Sequence, residues 1–239
     1  MYPVILVLAS SGGLGASTLA AALAARVSAD GLAVLVDGDL DGGGIDATVA
    51  VEHQPGLRWG DLCAVEGGVD GGRLIEALPC AGDLVVLSAG GGERPGPSVI
   101  VDVVRALAER GVIVIDGARG AVEPWRGLAH HLVIVAGTRP RQVRDAQRLL
   151  AALGPARDTA MVVTRGSRRS RDLGEAVAAH LGIAWIEHLR DDPTVPRDEA
   201  RGRSPGARGS LGEVVEATID AVGVVPPGRR DAGHGGRAS

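Results

Sequence analysis

Apolar positions along the chain fall into short unbroken runs, separated by longer stretches where they recur at every third or fourth residue. The runs are Val4–Leu8, Ala33–Val36, Leu84–Leu87, Val112–Ile115, Leu132–Val135, Met161–Val163 and Ile183–Ile186. Strands covered on both faces read as continuous Val/Ile/Leu segments, because neither side of the pleat meets water. The intervening stretches Ala16–Ala29, Ser98–Glu109, Arg141–Leu153, Arg171–Leu181 and Leu211–Ala221 carry helical spacing. This alternation predicts an α/β fold, a doubly wound, mostly parallel sheet with helices on both faces. Glycine and aspartate cluster over Asp37–Asp46, and glycine again over Gly90–Gly96, each directly after a strand. Ligands of open α/β sheets bind beyond the carboxyl ends of strands, so the first cluster is a functional candidate and the second reads as a connection. Beyond Pro226 and Pro227 no apolar period remains. The expected organisation is one domain over 1–225 followed by a disordered tail over 226–239.

Composition adds an unusual constraint. The 239 residues include no phenylalanine, asparagine or lysine, so every basic side chain other than histidine is arginine. A net charge of -4 gives no overall attraction to nucleic acid or to an anionic membrane. Cys63 and Cys80 lack metal-ligand spacing, and the N-terminus lacks the basic-then-apolar build of a signal peptide. No apolar run approaches the roughly 20 residues that span a bilayer. A cytoplasmic protein is the expectation.

The candidate chemistry begins in "LASSGGLGASTLAAAL", Leu8–Leu23, where Gly12, Gly13 and Gly15 stand between a strand and a helix. Such glycines let backbone N–H groups turn in around phosphate oxygens, and the helix N-terminus adds partial positive charge. Leu14 and Ala16 complete the loop; Ser17 is placed to ligate Mg²⁺ and Thr18 to bond a phosphate oxygen. "LVDGDLDGGG" puts Asp37 and Asp39 after the second strand, one to contact a magnesium-bound water and the other to orient an attacking water. "VIVIDGARG" closes an apolar strand with Asp116, a pattern that holds Mg²⁺ through water. A tight turn with Ser/Thr capping is the plainer explanation of the loop alone, and the three acidic positions argue against it.

With these residues in place the chain resembles the MinD/ParA family of deviant Walker ATPases, whose loop runs Lys-Gly-Gly-x-Gly-Lys-Ser/Thr-Thr. The matching run is Ser11 to Thr18, with Ser11 and Ala16 where the family has lysines. Asp37-Gly-Asp39 matches the family's Asp-x-Asp, and Asp116 its switch aspartate. "VAGTRPRQVRDAQRLLAAL" resembles the family's strand, Thr-x-x-Pro turn and helix, with the proline one residue early, and "HLRDDPTVPRDEARGRSPG" resembles its late segment. The likeness extends over about Val4 to Val222. Within the family, "GASTLA" and "GGGIDATVAVEHQPGLRWGDL" look most like the CpaE/TadZ branch and the actinobacterial septum site-determining proteins, which often lack the Walker lysine. That branch usually carries a receiver-like domain ahead of the nucleotide domain; here the chain opens almost on its first strand, which fits natural absence or an excerpt.

The resemblance implies ATP or ADP with Mg²⁺ as ligand, a homodimer closed face to face across the nucleotide, and work with septum or pilus and secretion proteins. A cationic donor to phosphate is worth about 1.5–3 kcal/mol, so losing the lysine weakens binding about ten- to 150-fold while leaving it possible. Hydrolysis suffers more, since phosphoryl transfer needs cations around the γ-phosphate. Arg119 and Arg139 are the nearest substitutes by topology, while Thr164 and Arg165 stand where relatives read adenine with asparagine. A slow ATPase using arginine, a nucleotide-free interaction module and a DNA-partition protein stay open beside the nucleotide-holding reading. Glu213, Glu216 and Asp220 in the last helix disfavour a direct membrane anchor. His130 and His131 lack a ligand cluster, Trp59 is a candidate partner surface among packing tryptophans, and Arg165–Arg171 is a local basic run, read first as a solvated helix entrance.

Overall fold

The computed structural model describes residues 1–65, 68–118, 120, 122–192, 194–199, 201, 205–206 and 208–224. The expected tail over 226–239 and the candidate Arg119 lie outside them. In chain order the strands are β1 (Val4–Ala9), β2 (Ala33–Gly38), β3 (Cys80–Ala81), β4 (Leu84–Leu87), β5 (Val112–Gly117), β6 (His131–Gly137), β7 (Ala160–Gly166) and β8 (Ala184–Arg190). The helices are α1 (Ala16–Ser28), α2 (Ile45–Val49), α3 (Gly71–Ala77), α4 (Pro97–Ala108), α5 (Pro140–Leu153), α6 (Gly174–Leu181), α7 (Thr194–Glu199) and α8 (Gly209–Val222).

All strands join one sheet in the order β3-β4-β2-β5-β1-β6-β7-β8, parallel everywhere except at the β3–β4 edge. The continuous apolar runs are explained by the two layers. In β1, Ile5 and Val7 enter a core with α1, α2 and α8, whereas Val4, Leu6 and Leu8 enter a second core with α3, α4, α5 and α6. Both faces are dry, so alternation disappears from the sequence. α1 buries Leu19, Leu23, Val27 and a run of alanines; alanine has the best helix propensity and lets the helix lie close on the sheet. At the carboxyl ends the registers pair Asp37 with Asp116 and Gly38 with Gly117, which sets two acidic strand ends side by side next to the loop that leaves β1.

The elements that departed from the sequence pattern are small or polar. β8 runs to Arg190, beyond the predicted Ile186, and carries His188 into the interior. That burial is tolerated because the ring bonds Thr164 Oγ1 at 3.1 Å and the Ser167 carbonyl at 3.1 Å. α6 starts at Gly174, later than predicted, after a 3₁₀ turn over Arg168–Leu173. Trp59 is a packing residue, as first read, and not the partner surface that was its alternative: it is buried, its indole N–H donates to the Asp37 carbonyl at 2.9 Å, and its ring meets Trp125 at 6.1 Å. Among the described residues no helix is long and apolar enough to cross a membrane.

Candidate functional site

The loop between β1 and α1 is shaped by glycine. Gly13 and Gly15 have φ of 72° and 83°, left-handed values that a side chain resists. Gly15 stands at the N-cap of α1 without a side-chain cap bond, so no capping side chain shields the first turn from a ligand. The loop borders a cavity of about 550 Å³ lined by Ser11 through Thr18 together with Asp39, Asp116 and the chain just after β5. The predicted residues Gly12, Gly13, Leu14, Gly15, Ala16, Ser17 and Thr18 therefore do converge. Ala16, in the family's lysine position, belongs to the cavity wall and is itself buried in the core beneath α1. Among the described lining residues none is basic.

Asp116 and Ser17 both line the cavity, and the Ser17 hydroxyl lies near enough to act on the Asp116 carboxyl. Burial raises the Asp116 carboxyl to about 7; the Ser17 hydroxyl opposes that shift, and the charges of Asp37 and Asp39 add to it. A carboxyl held so far above its ordinary range, beside a hydroxyl and a further carboxylate, is a site short of positive charge. The donors are hard oxygens, the set that suits Mg²⁺. Among the described residues no cluster of three acidic, histidine or cysteine side chains could hold a metal. An ion at Ser17 and Asp116 would need waters and ligand oxygens to complete its shell, as Mg²⁺ usually does.

Asp37 and Asp39, alike in sequence, are separated by the fold. Asp39 reaches the cavity. Asp37 is buried and accepts backbone N–H groups from Asp39 (3.1 Å), Ile45 (2.9 Å) and Ala89 (3.2 Å). Burial pushes its carboxyl up while these donors hold it back. With both oxygens engaged, Asp37 ties the end of β2 to the start of α2 and to the loop after β4, and it is not among the residues lining the cavity. The expected metal-water or water-orienting role thus has its geometric support at Asp39 alone.

The remaining candidates sit elsewhere. Ser11, at the first lysine position, donates its hydroxyl to Asp145 Oδ2 on α5 at 2.9 Å. Arg139 is exposed at the start of α5 and does not line the cavity. His130 Nδ1 accepts from the Val4 amide at 3.0 Å, at the opposite end of the sheet. In the basic run, Arg168 and Arg169 are exposed and Arg171 pairs with Glu187 at 2.9 Å. Arg165 alone among these turns to the loop, its Nη1 donating to the Leu14 carbonyl at 3.4 Å. That contact spans distant parts of the chain and left no local signal beyond the arginine at the end of an apolar run.

The strand order, the glycine loop after the central strand and the acidic ends of β2 and β5 define a P-loop NTPase fold of the MinD/ParA type. Solved structures agree. The ParA family ATPase from Chlorobium tepidum TLS superposes with a TM-score of 0.73 at 16% identity, covering 91% of this chain and 98% of that one. The septum site-determining protein MinD complexed with Mg-ADP from Pyrococcus horikoshii OT3 gives 0.72 at 16% identity, covering 92% and 96%. In sequence, the chain is similar to an uncharacterized protein of Mycobacterium tuberculosis (strain ATCC 25618 / H37Rv), 29% identical over 252 aligned positions that cover 99% of this chain and 67% of the relative. No family model matches the chain.

Proposed function

We propose that this chain is a MinD/ParA-like nucleotide-binding positioning protein that holds ATP or ADP with Mg²⁺ and turns it over slowly or not at all. The observation that carries the reading is the cavity itself: the glycine loop bounds it, Ser17 and Asp116 line it together, and Ala16 stands where the family has its cation. Backbone donors from Gly12 to Thr18 bind the phosphates and need no side chain. Ser17 and Asp116 would hold the metal, which would supply the positive charge that the acidic pocket lacks beside the phosphates. Asp39 orients water. Without a lysine the developing charge of phosphoryl transfer has little to stabilise it, so bound nucleotide serves as a structural ligand.

The missing lysines at Ser11 and Ala16 support placement near the CpaE/TadZ and septum site-determining branch, hence a role at the septum or in localising a Tad/Flp pilus machine. A cytoplasmic homodimer that recruits septum or secretion proteins, without its own membrane anchor, is part of the same reading, as is a single nucleotide domain over 1–225. Calorimetric titration with Mg-ATP, alongside light scattering for dimer formation, tests it. Saturable binding with dimerisation supports the proposal; no binding at millimolar ATP overturns it. The second reading, a nucleotide-free scaffold, is favoured by one observation: Asp39 and Asp116 with no basic residue among the described lining residues repel a metal-free anion.

A further inference from the structure

β7 ends beside the loop that follows β1, and its last residue but one is Arg165. The residue before it is fixed: Thr164 Oγ1 accepts from the Trp185 indole at 3.2 Å and bonds buried His188 at 3.1 Å. Arg165 extends from this rigid base across to the loop. Its Nη1 would lie 2.8 Å from a Cβ placed on Gly15, so the missing side chain of Gly15 makes room for the guanidinium. Two interactions hold it there. The Leu14 carbonyl accepts at 3.4 Å, the long end of the hydrogen-bond range, and Asp191 Oδ1 accepts from Nε at 3.0 Å. The Asp191 side chain is 66% exposed, so water screens that ion pair and weakens its hold. A guanidinium has five N–H donors in a planar fork that matches phosphate oxygens. Arg165 therefore rests against Leu14 and Gly15, two residues of the cavity wall, without itself lining the cavity, and these two contacts leave most of its donors uncommitted; the described lining has no cation.

We propose that Arg165 supplies the cationic donor for the phosphate groups of the ligand held by Gly12–Thr18, and that Asp191 parks the guanidinium when the loop is empty. The inference rests on the nucleotide-site reading above. It replaces the arginines suggested by topology with one that the fold brings into contact with the loop. It also gives the sequence position where relatives read adenine a different task, reading charge. Asp191 acts as a positioning residue, and the exchange of its carboxylate for a phosphate lets Arg165 move without leaving a buried charge unpaired.

The test is calorimetric titration of the full chain with Mg-ATP and, separately, with inorganic pyrophosphate and Mg²⁺, which lacks a base. Wild type is compared with Arg165→Ala, Arg165→Gln, Arg165→Lys and Asp191→Asn, with Arg169→Ala as a charge control from the same basic run. Loss of the guanidinium is expected to weaken both ligands about ten- to 150-fold, Arg165→Lys to recover part of it, and Arg169→Ala to change neither. Asp191→Asn, which frees the guanidinium, binds at least as tightly as wild type. Arg165→Gln keeps a polar side chain at the loop and reads out the charge if the alanine variant does not fold. Equal pyrophosphate affinity in wild type and Arg165→Gln overturns the inference and leaves the nucleotide site standing. A loss confined to ATP also overturns it, since that marks a base contact. Wild type binding neither ligand overturns the nucleotide-site reading, and the inference with it.

Discussion

Replacing Asp116 with asparagine should stabilise the metal-free protein, and by more as the pH rises. In the folded chain burial holds the carboxyl near 7, against an ordinary value of 3.8. The folded state therefore binds this proton more tightly than the unfolded chain does. Its contribution is most favourable below 3.8, falls as pH climbs from there to 7, and is constant above. Each tenfold change in proton affinity is about 1.4 kcal/mol, so ionising Asp116 in the fold costs about 4 kcal/mol by pH 8 and about 2 at pH 5. Asparagine keeps the shape and an acceptor for Ser17 and never ionises. Urea unfolding in EDTA should show Asp116→Asn more stable than wild type at pH 8, with the gap shrinking by about half towards pH 5. Added Mg²⁺ should raise wild-type stability at pH 8 and leave the variant unmoved, because the ion offsets the same charge. A variant that is no more stable than wild type, or a gap that ignores pH, would refute the reasoning that this pocket is short of a cation.

Other substitutions probe the neighbouring roles. Ala16→Lys should tighten Mg-ATP binding about ten- to 150-fold, read by calorimetry on a variant that circular dichroism shows to be folded; unchanged affinity would mean the backbone cradle does not seat phosphate. Asp37→Asn trades a carboxylate acceptor for an amide that cannot satisfy all three backbone N–H groups, and should cost about 1–3 kcal/mol in urea unfolding; a neutral result would remove its structural role. Asp39→Ala, by contrast, should leave stability within about 0.5 kcal/mol of wild type and abolish whatever slow phosphate release the protein shows.

The larger elements were legible because their physics is local. β1, β2, β5 and β6 read as apolar runs since both faces are packed, and the helices that cover them declare themselves by spacing. α2, α3 and the β3 edge were not, because Gly-rich segments such as Gly42–Gly44 carry no period and hold their shape through contacts from far away, such as Asp37 to Ile45 and to Ala89. The same limit divides the site. Gly12 to Thr18 and Asp116 could be placed by motif, since the loop and its strand ends are contiguous. Asp37 and Asp39 could not be told apart by spacing: β2 stops at Gly38, the chain turns there, and two carboxylates that a longer strand would have aligned take different environments. Arg165 was visible as a residue and not as a neighbour of Gly15, because only the order β1-β6-β7 brings the two together.

The central claim, that the site holds a nucleotide it hardly consumes, is tested most directly by the chemical state of the bound ligand. Incubating the protein with Mg²⁺ and ATP labelled on its γ-phosphate, then isolating the complex and identifying what it carries, gives that answer. Retained, intact ATP is the predicted result. A complex that carries no label, or one that has released its γ-phosphate at the rate of an ordinary lysine-bearing P-loop ATPase, would contradict it.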